Sequence, residues 1–473
     1  MRKTKIVCTL GPASDNAEML KKLICCGMNV ARLNFSHGTH ESHKKVIDTF
    51  KAVRKESGKP VALLLDTKGP EIRIKNFKDN MKPVLKAGEN FVLTTQEVDG
   101  DETRVTITYK DLPKQLEKGN RVLIDDGRIE LEVLSIADTE IVCTVIEGGQ
   151  ISNHKGVNVP YVHLDMPYLS EQDKADLVFG IENDVDFVAA SFVRCKEDVI
   201  ALRKFLDYHG GHLIKIIAKI ENIEGINNFD EILAHSDGIM VARGDMGVEV
   251  EYEKLPGIQK KFIKRCYKAG KMVITATQML ESMIHNATPT RAEITDVANA
   301  VFDGTSAVML SGETAMGEHP DLVVRVMSRI VLQAESDFFD MNMASVAGHD
   351  IDVKDKTNAI CDAACTTARD LKAKAIIAVT KSGETARRVS KFRPFEPIVA
   401  ATPELKTYYQ LALSWGVCPV LALNQDNEEK LFMHAVDCAK QIDVVSKGDT
   451  VVITAGLPLN MPGTTNLLKV ETV

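Results

Sequence analysis

The chain has 473 residues, of which 44% are hydrophobic and 26% are charged, and its formal net charge is −8. This length allows about two to four domains, each large enough to bury a core. The mild negative charge argues against nucleic acid or an anionic membrane surface as the main partner, and no apolar run approaches the ~18 residues of a membrane span.

Short apolar, β-branched runs alternate with longer amphipathic segments along most of the first 340 residues. The predicted strands are Thr4–Leu10, Met28–Leu33, Val61–Leu65, Phe187–Ala190, Leu213–Ala218, Gly238–Val241, Met272–Ala276 and Ser306–Leu310. The predicted helices between them include Ala17–Cys26, His40–Glu56, Glu197–Tyr208, Gly257–Ala269 and Arg291–Phe302. This alternation predicts a (β/α)8 TIM barrel, and an open doubly wound sheet is the alternative architecture.

Polar, charged or glycine residues follow these strands, which favours the barrel. In a barrel they would all converge on one carboxyl-terminal rim, whereas an open sheet would spread them along a crevice. The segments concerned are Asn34–His37, Asp66–Lys68, Ser191–Phe192, Lys219–Glu221, Arg243–Asp245, Thr277–Gln278 and Ser311–Glu313.

The helical period disappears between Glu71 and about Leu164. Alternating runs replace it, separated by Gly and Asp turns: Phe91–Thr95, Thr103–Thr108, Arg121–Ile124, Glu130–Ile136 and Ile141–Ile146. This pattern predicts a small β-barrel domain, residues 71–167, inserted through a loop of the larger barrel. Pro70 and Pro167 bracket it as possible hinges. Because the insertion lies at the rim, we expect this domain to act as a lid.

After a polar connector, Phe338–Asp355, the chain resumes an α/β alternation. The predicted helices are Thr357–Leu371, Thr385–Phe392, Glu404–Ser414 and Glu428–Gln441, and the predicted strands are Ala375–Val379, Pro397–Ala401, Cys418–Leu423, Thr450–Thr454 and Leu467–Thr472. Residues 341–473 are therefore predicted to form a C-terminal open-sheet α/β regulatory domain. Residues 1–70 and 168–340 would form the catalytic barrel.

The ten cysteines do not form a recognisable disulfide or zinc pattern. Several lie in apolar runs, where cysteine behaves as a small hydrophobic residue, and none has a histidine partner at zinc-ligand spacing. We interpret them as reduced thiols of a cytoplasmic protein.

Two neighbouring strand ends combine a cation with two carboxylates. Lys219 and Glu221 end one strand, and Asp245 ends the next, about 24 residues later. Two carboxylates suit Mg²⁺, which keeps some waters and takes substrate oxygens, and a lysine beside them can neutralise a transferring phosphoryl group. Ion pairs that merely cap the strand ends are the alternative.

With these segments placed, the chain closely resembles the pyruvate kinase family from Thr4 to about Val473. The motifs that carry the resemblance are KIVCTLGP (Lys5–Pro12), NVARLNFSHG (Asn29–Gly38), LDTKGPEIR (Leu65–Arg73), KIEN (Lys219–Asn222), VARGDMG (Val241–Gly247), ITATQML (Ile274–Leu280), PTRAE (Pro289–Glu293) and MLSGETA (Met309–Ala315). The resemblance implies transfer of phosphate from phosphoenolpyruvate to ADP, giving pyruvate and ATP, with Mg²⁺ (or Mn²⁺) and K⁺ as cofactors.

The resemblance also implies roles for residues at the rim. Arg32 and Lys219 would hold the transferring phosphoryl group, and Glu221 and Asp245 would bind the divalent ion. Gly244 and Asp245 would hold the substrate carboxylate through backbone N–H groups at a helix start. Thr277 would lie beside the carbon that is protonated after transfer. Because a free hydroxyl is a weak acid, a water chain through Thr277 and Ser311 or Glu313 is the expected proton donor.

A monovalent-cation site is implied at the ends of two adjacent strands. Its ligands would be Asn34, Ser36, Asp66 and Thr67, although Asn34 and Ser36 could instead form a turn with local hydrogen bonds. Family members that need K⁺ carry glutamate at the position of Glu71, and K⁺-independent members carry lysine. We therefore expect activation by K⁺.

Nucleotide contacts are implied at Asn34, His37, Arg73 and Lys155. Lys155 lies in the inserted domain, so it would reach the ADP phosphates only when the lid closes. A solvated loop lysine is the alternative for this residue.

A phosphate-binding loop is implied in the C-terminal domain. The segment offers hydroxyls, a glycine and free N–H groups before a predicted helix; its residues are Thr380, Lys381, Ser382, Gly383 and Thr385. A Gly-rich loop, Pro462–Asn466, would assist it. Because Asn424–Lys440 has no arginine or tryptophan for a second phosphate and Glu384 adds negative charge, a sugar monophosphate or AMP is expected as effector. An N-cap followed by a turn is the alternative.

Two other functions compete with the kinase. An Mg²⁺-dependent lyase acting on pyruvate or oxaloacetate would use the carboxylate pair but would not need Lys219 or a nucleotide-reaching lysine. A catalytically silent scaffold would be favoured by loss of Lys219, Glu221, Asp245 or Thr277, and all four are present. The expected partners are phosphoenolpyruvate, ADP and other copies of the chain in a homotetramer, with no nucleic acid and no membrane.

Overall fold

Eight parallel strands close into a barrel in the computed structural model, which describes residues 1–341, 355–425, 427–458 and 465–473. The strands are β1 (Lys5–Thr9), β2 (Val30–Asn34), β3 (Ala62–Asp66), β13 (Phe187–Ala190), β14 (Lys215–Ile220), β15 (Gly238–Ala242), β16 (Met272–Ala276) and β17 (Ala307–Leu310). Each strand pairs with the next along the chain, and β17 pairs with β1. The predicted barrel is confirmed, and the open-sheet alternative is wrong.

Helices surround this barrel and follow its strands. They are α1 (Ala17–Cys26), α2 (His40–Ser57), α3 (Glu171–Glu182), α4 (Lys196–Tyr208), α5 (Ile223–Asn227), α6 (Phe229–His235), α7 (Arg243–Glu249), α8 (Leu255–Lys268), α9 (Arg291–Phe302), α10 (Gly312–Ala315) and α11 (Pro320–Asp340). Side-chain hydrogen bonds cap the amino-terminal ends of several helices. Thr39 is the N-cap of α2 and Thr290 is the N-cap of α9, each in a capping box. Among the described helices, none is both long enough and apolar enough to cross a membrane.

The inserted segment forms a separate β-structure with its own core. Its strands are β4 (Ile72–Arg73), β5 (Val84–Leu85), β6 (Asn90–Thr94), β7 (Arg104–Thr106), β8 (Arg121–Ile124), β9 (Ile129–Ile136), β10 (Glu140–Glu147), β11 (Gly149–Gln150) and β12 (Gly156–Asn158). Seven of them form one sheet in the order β4-β12-β8-β9-β10-β6-β7, and a bridge between Ile74 and Ile107 joins its two edges. The short strands β4, β5, β11 and β12 were not predicted, because two or three residues show no alternation.

The C-terminal part is an open five-stranded sheet flanked by helices. Its strands are β18 (Ala375–Val379), β19 (Ile398–Thr402), β20 (Val417–Leu421), β21 (Thr450–Gly456) and β22 (Thr465–Thr472), in the order β20-β19-β18-β21-β22 with β22 antiparallel. Its helices are α12 (Lys356–Asp370), α13 (Glu384–Lys391), α14 (Leu405–Gln410) and α15 (Glu428–Gln441). This confirms the predicted open-sheet architecture.

Helix α14 attaches this C-terminal part to the amino-terminal face of the barrel. Lys406 Nζ donates to the carbonyl of Val185 at 2.6 Å, and Gln410 Nε2 donates to the carbonyl of Asp186 at 3.1 Å. The Arg54 guanidinium lies 3.6 Å from the ring centre of Tyr409. These contacts hold the start of β13 at the amino-terminal face of the barrel. The carboxyl ends of the barrel strands, at the opposite face, stay open to the inserted domain.

Candidate active site

Strand alternation carries three charged side chains into the mouth of the barrel. Inward-facing residues of β2, β3 and β14 pack in the barrel interior: Val30, Leu64 and Ile217. Two residues further along, Arg32, Asp66 and Lys219 continue the same inward rows, because side chains alternate with a period of two. These three residues are only 8%, 0% and 8% exposed, respectively. Charges buried to this degree must be paired.

Asp66 lies between the two cations. Its Oδ2 is 2.6 Å from Arg32 Nε, and its Oδ1 is 3.1 Å from Lys219 Nζ. Burial favours the neutral acid, but the two cations outweigh it, so the pKa of Asp66 is lowered. Burial likewise disfavours the Lys219 ammonium, but Asp66 and Glu221 outweigh it and raise the pKa of Lys219. Asp66 and Lys219 are therefore both ionised at neutral pH.

Glu221 is the second carboxylate beside Lys219. Its Oε1 lies 3.0 Å from Lys219 Nζ, and its Oε2 accepts a hydrogen bond of 2.6 Å from the backbone N–H of Phe192. Burial, with a contribution from the negative charge of Asp245, raises the pKa of Glu221 to about 7 in spite of Lys219. Such a carboxylate gains strongly from a cation nearby.

The donor set fits a hard divalent cation that is only partly coordinated by protein. Glu221 and Asp245 supply carboxylate oxygens near one another, and the described residues contain no cluster of three or more His, Cys, Asp or Glu suited to a metal. Mg²⁺ commonly binds through one or two carboxylates and completes its shell with water and substrate oxygens.

The ends of β2 and β3 lie side by side, as the implied monovalent-cation site requires. Asn34 pairs in register with Asp66. Asn34 Oδ1 accepts a hydrogen bond of 3.2 Å from the backbone N–H of Ser36, which is the local turn contact considered above. The carbonyl of Thr67 accepts from the Ser191 hydroxyl at 2.6 Å. The site therefore offers oxygens that already carry internal hydrogen bonds.

Thr277 follows β16 in a left-handed backbone conformation, with φ of 70°. Its Oγ1 accepts a hydrogen bond of 2.8 Å from the Gly244 N–H and lies 2.6 Å from the carbonyl of Ala276. The guanidinium of Arg243 donates to the carbonyls of both Ala276 and Thr277. Because this conformation is strained for a β-branched residue, we attribute its stability to these contacts. The N–H of Gly244, implied to hold the substrate, is occupied by Thr277 in this arrangement.

Glu313 supports the rim beside Thr277. The side chain is buried, its Oε1 accepts from the Leu280 N–H at 3.2 Å, and its Oε2 accepts from the Ser311 N–H at 2.6 Å. Burial raises the pKa of Glu313. Both carboxylate oxygens therefore accept hydrogen bonds from backbone N–H groups, which favours a structural role over direct proton transfer.

A cavity of about 610 Å³ separates the barrel rim from the inserted domain. Arg73 and Lys155 line it from the inserted domain, and Asp245 lines it from the barrel. Asn34 and His37 are not among the residues that line it. The Arg73 guanidinium binds Glu71 at 2.6 and 2.7 Å, and Lys155 Nζ lies 2.7 Å from Asp125.

The loop before α13 has the geometry of a small turn closed by its own hydroxyls. Gly383 has φ of 82°, and its N–H donates to Thr380 Oγ1 at 2.9 Å. Thr385 Oγ1 lies 2.8 Å from Thr465 Oγ1. The charge of Glu384, which counted against a second phosphate, is offset by Arg388 at 2.6 Å and Arg387 at 3.3 Å. Of the assisting loop, residues 462–464 lie outside the described residues, as does residue 426 in the segment 424–440.

Ser191 and Glu249 were not identified from the sequence as site residues. Ser191 contacts Lys219, Asp66 and Thr67, and Glu249 receives a hydrogen bond from Asn158 of the inserted domain. The only signal for Ser191 was its place after a predicted strand, and no pattern marked Glu249.

Comparison with known proteins gave concordant matches along the chain. Family models described as pyruvate kinase, barrel domain, and pyruvate kinase, alpha/beta domain, match residues 1–324 and 358–471. The pyruvate kinase of Clostridium acetobutylicum is 48% identical over 474 residues, covering 100% of both chains. That of Staphylococcus saprophyticus is 50% identical, covering 100% of this chain and 81% of its own. A crystal structure of a pyruvate kinase from Cryptosporidium parvum matches with a TM-score of 0.93 at 41% identity, covering 100% of this chain and 96% of its own.

Proposed function

Because the chain belongs to the pyruvate kinase family, we propose that Arg32, Asp66, Lys219 and Glu221 at the barrel mouth carry out that family's phosphoryl transfer. The enzyme is a phosphotransferase that moves the phosphoryl group of phosphoenolpyruvate to ADP, giving pyruvate and ATP in glycolysis. The observation that carries the residue assignment is the buried Lys219 ammonium, held between two carboxylates at the rim.

Phosphoryl transfer is mainly a problem of positioning and charge. Its transition state spreads negative charge over the equatorial oxygens of the group in flight. The two buried cations are fixed before the substrate arrives, so stabilising that charge requires little reorganisation. We assign Arg32 to the phosphoryl group of phosphoenolpyruvate and Lys219 to the same group throughout its transfer.

We assign the divalent-cation site to Glu221 and Asp245. Mg²⁺ or Mn²⁺ would supply charge neutralisation between the protein carboxylates and the substrate oxygens. The raised pKa of Glu221 supports this assignment, because a buried carboxylate is stabilised when a cation binds it.

We further propose a K⁺ site at Asn34, Ser36, Asp66 and Thr67. The support is the register that brings β2 and β3 together at Asn34 and Asp66. The glutamate at position 71 is consistent with a requirement for K⁺. At this position, which lies in the cleft, family members that do not need K⁺ carry a lysine, whose ammonium supplies the positive charge. Glu71 also forms ion pairs with Arg73 and Lys68. These two cations balance its negative charge.

After transfer, the enolate must be protonated on carbon. Thr277 Oγ1 is anchored by Gly244 and lies against a carbonyl, so we assign Thr277 to orient an ordered water and not to donate its own proton. Asp245 shares the helix start with Gly244, and we assign their backbone N–H groups to the substrate carboxylate. For that contact, the Gly244 N–H must exchange Thr277 for the substrate.

The nucleotide is proposed to bind in the cleft under the inserted domain. Arg73 and Lys155 face this cleft and would exchange Glu71 and Asp125 for ADP phosphates. We assign Asn34 and His37 to contacts with the same nucleotide from the barrel side. Neither residue lines the cavity itself.

We also propose an effector site, an oligomeric state and a cellular location. A sugar monophosphate or AMP would place its phosphate in the loop of Thr380, Lys381, Ser382, Gly383 and Thr385, where Arg387 and Arg388 offset Glu384. We also propose a homotetramer, and a cytoplasmic location that agrees with ten free cysteines. Sedimentation analysis and fractionation test these two statements.

The decisive experiment measures pyruvate formation from phosphoenolpyruvate and ADP with Mg²⁺, with K⁺ present or replaced, in the wild type and Lys219→Met. K⁺-stimulated turnover that the substitution nearly abolishes supports the reaction and the central assignments. A wild type that forms no pyruvate, with or without sugar phosphates and AMP, would contradict the proposed function and return the lyase and scaffold alternatives.

A further inference from the structure

Ser191 lies at the centre of the ion cluster. It follows β13, whose neighbours in the barrel are β3 and β14, the strands that carry Asp66 and Lys219. Ser191 is 1% exposed. Its Oγ lies 2.6 Å from the carbonyl oxygen of Thr67, 2.7 Å from Lys219 Nζ and 3.2 Å from Asp66 Oδ1. One hydroxyl therefore joins three strand ends.

The directions of these hydrogen bonds follow from the chemistry of the partners. A carbonyl can only accept and an ammonium can only donate. The hydroxyl of Ser191 has one hydrogen, and its shortest acceptor is the carbonyl of Thr67, so an oxygen lone pair remains for Lys219. The backbone N–H of Ser191 also donates to Thr67 Oγ1 at 3.1 Å. These two bonds to Thr67 fix the lone pair in the direction of the ammonium.

Ser191 is the neutral member of the set that holds Lys219. The other two acceptors, Asp66 and Glu221, are carboxylates, and their interactions change when cations or substrate enter the site. The Ser191 hydroxyl carries no net charge, so its bond to Lys219 changes less when cations or substrate enter the site. A lysine ammonium sits on a flexible four-carbon stem, and a misplacement of about 1 Å in an active site costs on the order of 100-fold in rate. A neutral buried acceptor can hold the ammonium through the whole reaction.

We propose that Ser191 is a positioning residue that fixes the Lys219 ammonium for phosphoryl transfer, acting through its hydroxyl and the carbonyl of Thr67. This inference rests on the proposed function and adds a residue to it. It also separates two steps of the reaction, because Ser191 contacts the phosphoryl-binding cluster, whereas Thr277 follows β16 at the proposed protonation site.

The test compares Ser191→Ala and Ser191→Cys with the wild type. Alanine removes the acceptor, and cysteine fills the position with a much weaker one. We expect kcat to fall on the order of 10- to 100-fold for alanine and less for cysteine, with the KM for phosphoenolpyruvate changed by less than about 3-fold. Exchange of the pyruvate methyl hydrogens with deuterated water, which reverses enolate protonation alone, should persist and can be followed by NMR.

Tyr168→Phe is the matched control. The Tyr168 hydroxyl donates to the carbonyl of Ser191 at 3.1 Å, so its removal perturbs the same backbone without touching the Ser191 hydroxyl. We expect this variant to keep kcat within about 2-fold, and melting temperatures will show that all variants fold.

Four results would overturn the proposal. A folded Ser191→Ala enzyme with kcat close to the wild type would show that the contact is dispensable. Equal losses of turnover and methyl exchange, or an equal loss in Tyr168→Phe, would show a general structural role. If the alanine variant fails to fold, a Ser191→Cys enzyme with wild-type kcat would contradict the proposal by itself. A wild type without turnover is a different outcome, since it would remove the proposed function on which this inference rests.

Discussion

Asn158 of the inserted domain donates a hydrogen bond of 3.1 Å to Glu249 of the barrel. Glu249 lies one helical turn after Asp245 on α7, and its second oxygen accepts from the Ile223 N–H at 3.2 Å. Asn158 follows shortly after Lys155, on β12. One contact thus connects the part of the inserted domain that carries the proposed nucleotide lysine with the helix that carries the proposed metal ligand.

We predict that breaking this contact weakens nucleotide binding more than chemistry. In Asn158→Ala the inserted domain loses a hydrogen bond to α7, so the KM for ADP should rise about 3- to 10-fold, with kcat changed less. Steady-state kinetics with ADP varied will measure it. Tyr161→Phe is the control, because the exposed Tyr161 hydroxyl makes only a 3.4 Å contact with Glu251. Equal effects of both substitutions on the KM for ADP would contradict a specific role of the Asn158–Glu249 hydrogen bond in nucleotide binding.

Lys219→Met should abolish turnover because it removes the cation nearest the proposed phosphoryl group. We expect kcat to fall on the order of 10³-fold and stability to fall by about 3 kcal/mol or less. The loss of stability is limited because Glu221, with its raised pKa, can take up a proton. Lys215→Met is the matched control on the same strand: Lys215 pairs with Asp237 at 2.8 Å, at the opposite end of β14. Comparable kcat losses in both variants would contradict the assignment.

Binding of Mg²⁺ should release a proton from Glu221. Its pKa is raised from 4.5 to about 7 in the metal-free protein, whereas the metal requires the ionised carboxylate. Calorimetry in buffers of different ionisation enthalpy should show release of about one proton near pH 6 and almost none above about pH 8. Glu221→Gln should remove this release. Proton release that does not vary with pH would contradict the role of Glu221.

The same raised pKa has a consequence for the stability of the metal-free protein. Between pH 4.5 and about 7 the native state binds more protons at Glu221 than the unfolded state does. The contribution of Glu221 to the free energy of unfolding therefore decreases as pH rises through this window. Mg²⁺ should reverse that decrease. Urea titrations of the wild type and Glu221→Gln across this range will measure the difference between their pH slopes.

Turnover should depend on K⁺, and Glu71→Lys should reduce that dependence. The introduced ammonium would place a positive charge in the cleft, although it would also release Arg73 and Lys68 from Glu71. We expect the ratio of kcat in K⁺ to kcat in Tris-only buffer to fall at least about 5-fold. Glu97→Lys makes the same charge change at an exposed residue of the inserted domain and should leave the ratio unchanged. Equal wild-type rates in K⁺, Na⁺ and Tris buffers would refute K⁺ activation.

A phosphate monoester should activate the enzyme through the loop before α13. We expect ribose 5-phosphate, glucose 6-phosphate or AMP to lower the KM for phosphoenolpyruvate, and Thr385→Val to weaken that activation about 10-fold. Unphosphorylated ribose is the control ligand. Activation that survives Thr385→Val and Ser382→Ala together would show that the phosphate binds elsewhere. A clear preference for a sugar bisphosphate would contradict the expectation of one phosphate.

The barrel could be predicted from the sequence because its signals are local. A buried parallel strand needs a continuous apolar run, and polar residues at the carboxyl end of such a run mark the rim; Lys219 and Glu221 follow directly from this pattern. The alternation in Ile129–Ile136 and Glu140–Glu147 likewise marked the inserted domain. The pairs of residues in its shortest strands carry no such pattern and were missed.

The pairing of side chains was decided only by the tertiary structure. Asp66 and Lys219 are 153 residues apart, and Ser191 and Asp66 are 125 apart, so no local pattern states that their atoms lie 3.1 and 3.2 Å from each other. A sequence of strand ends indicates which side chains share a rim, because the period of the strand fixes the face. Barrel closure and strand register then decide which charges meet, and these depend on packing throughout the barrel. For that reason Lys219 could be assigned a role beforehand, whereas Ser191 could only be placed at the rim and Glu249 was not identified.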